Sequence, residues 1–215
     1  ADLSSPVIEQ VYYRGIRVAE KGEMRPEIKM PQPVAVKPAM NVDFNKIDFS
    51  ILAESKRIRV IEIIPDQIVT QQGIEDAMLS DGRVVSDPSR DLLKIAVIER
   101  HQGTGNVGKA FVKGLGLKRG ALASSVAHDS HNIIVVGTTD ADMKAALGAV
   151  VEMGGGLAAV SNTTPLATLP LPIAGLMSLE PVPKIREHMD RLITVCHQLG
   201  STLTDPFMTL SFLAL

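Results

Sequence analysis

Ala121-Leu122-Ala123-Ser124-Ser125-Val126-Ala127-His128-Asp129-Ser130-His131-Asn132-Ile133-Ile134-Val135-Val136-Gly137 sets two apolar runs on either side of a short polar break. Ile133–Gly137 is β-branched without alternation, the pattern of a strand buried on both faces. Ala121 to Ala127 reads as its partner strand, so the polar break emerges at the end of a sheet. Outward from there, Leu92 to Glu99 and Arg57 to Ile64 read as further strands, the second stopped by Pro65. Thr139 is placed to cap a helix with Asp142 three residues on, and Met143, Ala146, Leu147 and Val150 share one face. Gly154-Gly155-Gly156 ends that helix and Leu157 to Val160 resumes as a strand. A second helix is expected from about Pro181 to Leu199, with Ile185, Met189, Leu192, Ile193, Cys196 and Leu199 inward and Gly200 after its end. Residues 48–215 are therefore expected to form an α/β domain, a mixed sheet packed with helices. No internal repeat is visible.

The N-terminal part differs. Val7 to Tyr13, the turn Arg14-Gly15 and Ile16 to Val18 read as a small β arm over residues 1–24, ended by Glu20 to Glu23. So short a piece cannot bury a core by itself. Pro26, Pro31, Pro33 and Pro38 fix four φ angles and remove four donors, which makes residues 25–47 an extended linker. The chain opens without Met and closes on Ser211-Phe212-Leu213-Ala214-Leu215. That apolar end reads as an interrupted strand or core segment, so a piece of a longer polypeptide is expected.

Composition narrows the function. Of 215 residues 45% are apolar and 21% charged, with a formal net charge of −2. A disordered or collagen-like chain is excluded, and nothing suggests the broad basic surface of a nucleic-acid binder. No run is long and apolar enough to span a membrane. Cys196 is the sole cysteine, so no intrachain disulfide forms, which suits a reducing compartment; its place on an apolar helix face reads as a buried structural thiol.

Gly103-Thr104-Gly105-Asn106-Val107-Gly108 matches G-x-G-x-x-G, and Asp129 follows Gly108 by 21 residues. The helix such a site requires would span Lys109 to Arg119 and contain Gly114 and Gly116, each costing about 1 kcal/mol in a helix interior. The alternative is a glycine loop whose backbone approaches a strand or a small ligand closely. His128-Asp129-Ser130-His131-Asn132 is the densest polar cluster, and His101 ends a second predicted strand at the same rim. Two imidazoles and a carboxylate suit metal binding, water orientation or hydrogen bonding to a heterocycle. The same residue types are also ordinary turn formers. Ser124-Ser125 lacks the G-x-S-x-G elbow of a serine nucleophile. His188 and His197 read as surface or boundary residues.

Several blocks resemble the adenine deaminase family of amidohydrolases: Lys94 to His101, Gly103 to Asn106, Gly114 to Ala121, Ser124 to Gly137, Leu169 to Ser178 and Asp205 to Leu215, in order within residues 57 to 215. The resemblance is to the C-terminal part alone. It implies a full enzyme with a metal-bearing (β/α)₈ barrel, absent from this chain, and a small β domain to which residues 1–24 would belong. It implies the reaction adenine plus water to hypoxanthine plus ammonia in purine salvage, in the cytoplasm. The metal, Mn or Fe and possibly Zn, is expected in the barrel. This chain has five histidines and no H-x-H pair, so no metal ligand is carried over to it. His101, His128, Asp129 and His131 match the family pattern and are the candidate catalytic residues lining the purine site. Expected partners are adenine, the remaining barrel domain and further copies of the enzyme; nucleic acid and membrane are not expected. The alternatives are a structural or oligomerisation domain and a purine-binding module without hydrolytic chemistry.

Overall fold

A computed structural model describes residues 6–25 and 39–214. The chain divides into two compact units, Ala1–Ala35 and Val36–Leu215. The four linker prolines lie outside the described residues.

In the first unit, β1 (Gln10–Tyr13), β2 (Ile16–Glu20) and β3 (Glu23–Met24) form an antiparallel sheet in that order. Arg14 and Gly15 both have positive φ, 50° and 80°, the turn whose twist suits a tight hairpin. Lys21-Gly22 does not end the unit as the sequence reading expects. It makes a second turn of the same kind, and β3 returns alongside β2. Tyr12, Tyr13 and Ile16 remain 58%, 62% and 69% exposed, because a sheet this small has no second layer to cover them.

The second unit holds β4 (Arg57–Ile63), β5 (Thr70–Asp76), β6 (Met78–Ser80), β7 (Arg83–Val85), β8 (Leu92–Ile98), β9 (Val107–Lys113), β10 (Ala121–Ser124) and β11 (Ile133–Gly137). These are followed by α1 (Asp140–Glu152), β12 (Gly156–Ser161), β13 (Thr164–Pro170), α2 (Val182–Leu199) and α3 (Pro206–Phe212). Eight strands make one mixed sheet in the order β13-β12-β10-β11-β8-β9-β4-β5, while β6 and β7 pair separately. Neighbours are antiparallel except β4 and β9. β11 and β12 flank β10 and are joined by α1, a split β-α-β unit.

The period of two along each strand sorts the core onto two faces. Leu93, Ile95, Leu122, Ile134, Val136 and Leu157 point toward α2 and α3, where Leu192, Cys196, Leu199, Phe207 and Leu210 meet them. Ala96, Ile98, Ala121, Ala123, Val135 and Ala158 face Met143, Ala146, Leu147 and Val150 of α1. Met40, Val42, Phe44 and Ile47 pack on that second face, so the chain is already held against the α/β body before residue 48. Each fully buried leucine contributes about 1.5–3 kcal/mol by transfer from water.

Helix ends follow the sequence signals. The Thr139 hydroxyl accepts from Asp142 N at 3.1 Å, and Gly200, at φ 117°, closes α2. Of the two readings of the apolar C-terminal stretch, the core segment holds and the strand does not: Ser211 and Phe212 end a short helix, and Ser211 and Leu213 are buried. Asp205 accepts from Met208 N at 2.9 Å, Pro206 occupies the first turn, and Phe207 and Leu210 enter the core.

Candidate functional site at one end of the sheet

Register brings the candidate residues together. Ile98 pairs with Ile133, Ser124 with Leu157, and Gly156 with Pro170. The glycine loop (99–106), the histidine loop (125–132) and the segment 171–177 therefore leave the same end of the sheet.

The glycine loop joins β8 to β9 as a hairpin, so no helix N-terminus follows it. Four of its backbone donors, those of His101, Gln102, Thr104 and Asn106, are already used. The Glu99 carboxylate accepts from His101 N, from Gln102 N at 2.8 Å, and from Thr104 N and its hydroxyl at 3.0 and 2.9 Å. Burial pushes the Glu99 pKa up, but the bonds from Thr104, Gln102 and His101 outweigh it and hold it at about 2. The close approach comes from the chain's own segment: a Cβ on Gly103 would lie 3.2 Å from Asn41 O, and one on Gly105 2.5 Å from Lys46 Cβ. Positive φ at both glycines, 66° and 79°, lets the loop turn beneath that segment.

The histidine loop is organised differently. His128 N donates to Ser211 O at 3.0 Å and its ring stacks on Phe212 with centroids 4.5 Å apart, which ties it to α3. The His128–Asp129 peptide is cis, and Asp129 and Ser130 are exposed. His131 N bonds to Ala127 O at 2.8 Å. His131 Nδ1 and Asn132 Oδ1 are buried without a hydrogen-bond partner among the described residues. His101 reaches the same loop, its Nε2 lying 3.0 Å from Ser130 O. His101, His128 and His131 thus meet one loop, but no group of three His, Cys, Asp or Glu among the described residues has the arrangement to hold a metal. The ligands present do not fit a metal centre.

Arg100 and Ser125 carry much of this end; the sequence reading passes over Arg100 and weighs Ser125 only as a nucleophile, not as the structural group it is. The Arg100 side chain is only 1% exposed. Its Nε donates to His131 O, Nη1 to Ala39 O at 2.7 Å and Nη2 to Ala174 O at 3.0 Å. Ser125 Oγ accepts from Gly156 N at 2.8 Å and donates to Gly175 O at 2.6 Å. Both residues sit inside quoted blocks, but their partners are backbone atoms that leave no mark on the sequence.

Elsewhere, an open groove of about 810 Å³ is lined by Asp48, Ser50, Leu52, Arg57, Arg59 and Lys109. A hollow of about 210 Å³ lies between Ile61, Ile95, Val97, Ala110 and Leu213. Neither includes the histidine loop. Burial pushes the Cys196 thiol up to about 12, which makes it inert. His188 Nδ1 and His197 Nε2 each meet a backbone carbonyl at 3.0 Å, Thr168 O and Leu203 O. No helix among the described residues is long and apolar enough to cross a membrane.

Comparison with known proteins adds identity to this geometry. A family profile described as adenine deaminase C-terminal domain matches residues 67–215. The protein named adenine deaminase in Desulfatibacillum aliphaticivorans is 52% identical over 214 residues, covering 100% of this chain and 38% of the relative. Its namesake in Methanothrix thermoacetophila is 44% identical over 209 residues, covering 97% and 37%. The one in Bacillus pumilus is 40% identical over 219 residues, covering 100% and 38%. The chain spans under two fifths of the length of these relatives.

Proposed function

Because the chain belongs to the adenine deaminase family and carries its C-terminal domain, we propose that it is the C-terminal part of a hydrolase converting adenine and water to hypoxanthine and ammonia. The observation that carries this reading is the match along the whole chain, at 52% identity, to a relative named for that activity. The remaining length of the polypeptide supplies the barrel and its divalent metal, Mn, Fe or Zn, in the cytoplasm. Water adds to purine C6, the C6–N bond breaks and the amine leaves as ammonia.

In this reading the chain's contribution is the histidine loop. His101, His128, Asp129 and His131 stand at one sheet end and offer imidazoles and a carboxylate for hydrogen bonding to the purine or the departing amine. The unpartnered His131 Nδ1 and Asn132 Oδ1 support it, because buried polar atoms without partners are rare outside sites that acquire one. The test is deamination by a full-length enzyme carrying this segment with His128→Ala or His131→Ala. A fall in kcat of about 100-fold at unchanged metal content is expected. Unaltered kcat and KM in both variants would reject the loop's role.

A second reading, assembly, is supported by β5. It is the edge strand of the sheet, and Ile68, Val69 and Ile74 on or beside it are 71%, 59% and 54% exposed. The mass of the full-length enzyme by light scattering, with and without Ile74→Lys, tests homo-oligomer formation through this edge.

A further inference from the structure

We infer that Arg100 is the positioning residue of the histidine loop, a step that rests on the proposed role of that loop in deamination. Three features of the geometry point to it.

The first is reach. The three guanidinium nitrogens diverge in one plane and take carbonyls from segments far apart in sequence, Ala39, His131 and Ala174. A lysine cannot copy that fork, because its ammonium donates from a single point. The second is the absence of a counter-ion: no carboxylate pairs with Arg100 among the described residues, and its environment is built from backbone oxygens. Burying a guanidinium this way is costly, so the residue is better explained by what it holds than by net stabilisation. The third is packing. A Cβ on Gly175 would stand 3.2 Å from Arg100 Cζ and Nη1, so the segment 173–177 lies against the guanidinium. On the backbone side, Asn41 N donates to Arg100 O at 2.8 Å and Asn41 Nδ2 to His101 O at 2.7 Å.

Arg100 and His101 therefore capture successive carbonyls of the loop, His131 O and Ser130 O. The side chains of residues 128–131 stay free of that task. Without the guanidinium, the loop keeps the bond of His128 N to Ser211 O and the contact of His101 Nε2 with Ser130 O, but loses the tie that joins His131 O to Ala39 and Ala174.

The test uses a full-length enzyme carrying this segment, with Arg100→Met, Arg100→Lys, His128→Ala and His131→Ala measured side by side. Arg100→Lys is the milder change if the Met variant does not fold. Hydrogen exchange of the peptide covering 128–132 is compared with that covering 92–98, and kcat, KM and metal content are measured for adenine. In the folded variants, exchange should rise about tenfold in the loop and not in β8, with kcat down about 10- to 100-fold at unchanged metal content. Lys should recover part of the loss seen with Met. If the histidine variants lower kcat and the folded Arg100 variants do not, Arg100 is no positioning residue and the loop's role stands. If the histidine variants also match the parent, the role of the loop fails and this inference fails with it.

Discussion

Two loops leave the same end of the sheet, and each meets its polar groups in a different way. The glycine loop carries a recognisable phosphate-binding pattern, yet three of its backbone donors, those of His101, Gln102 and Thr104, point at Glu99 of the same chain. The histidine loop matches no strong motif, yet it retains His131 Nδ1 and Asn132 Oδ1 without partners and takes its anchors from Arg100 and His101. A motif reports which groups are available; only the contacts report which are already spent. A loop satisfied by its own carboxylate is a finished structure, and one held from outside with atoms to spare is where a ligand is worth seeking.

That contrast can be broken or sharpened by experiment. The largest effect is expected at Glu99. Glu99→Ala removes a charged acceptor of several hydrogen bonds and should lower unfolding free energy by about 2–3 kcal/mol in urea titrations. The pH dependence follows from the same carboxylate. Its pKa falls from the ordinary 4.5 to about 2 on folding, so its contribution is complete above 4.5 and is lost as pH falls from there through 2. Urea midpoints from pH 7 to pH 2.5 should therefore decline less for Glu99→Gln than for the parent, and parallel declines would mean the carboxylate is not what closes this loop.

Next comes Ser125→Ala, which orphans the buried Gly156 N and Gly175 O and should cost about 1–3 kcal/mol, read by thermal or urea unfolding. His128→Ala removes a stacked pair with Phe212 and should cost about 1 kcal/mol of stability. A loss above 3 kcal/mol there would mark His128 as a core residue and weaken its assignment to the purine site. The smallest effect expected is none: calorimetric titration of NADH into the chain should give no binding heat, since Glu99 already fills the loop. Measurable binding would overturn the distinction between the two loops.

The sequence is informative where burial leaves a pattern. β8 and β11 are readable because Leu92 to Ile98 and Ile133 to Gly137 are apolar on both faces, and α1 because Thr139 and Asp142 mark its start. β13 escapes notice because Pro165 and Pro170 argue against a strand. It sits at the sheet's edge, where a missing donor costs no ladder bond. β9 is obscured by the glycine pattern before it, which suggests a following helix. α3 is seven residues long, too short for periodicity, and only Asp205-Pro206 announces it. At the candidate site, the histidines stand out by residue type. Arg100 does not, because arginine reads as surface by default and its acceptors are backbone oxygens belonging to Ala39, His131 and Ala174.

The one parallel junction of the sheet has a mechanical consequence. β4 and β9 share only the register pairs Ile61–Val112 and Glu62–Lys113, whereas β4–β5 and β8–β9 each run through seven. A sheet loaded across its strands tears along its least-stitched seam. The β4–β5 hairpin should then swing away as one flap, leaving the six strands from β13 to β9, and both loops at their end, intact.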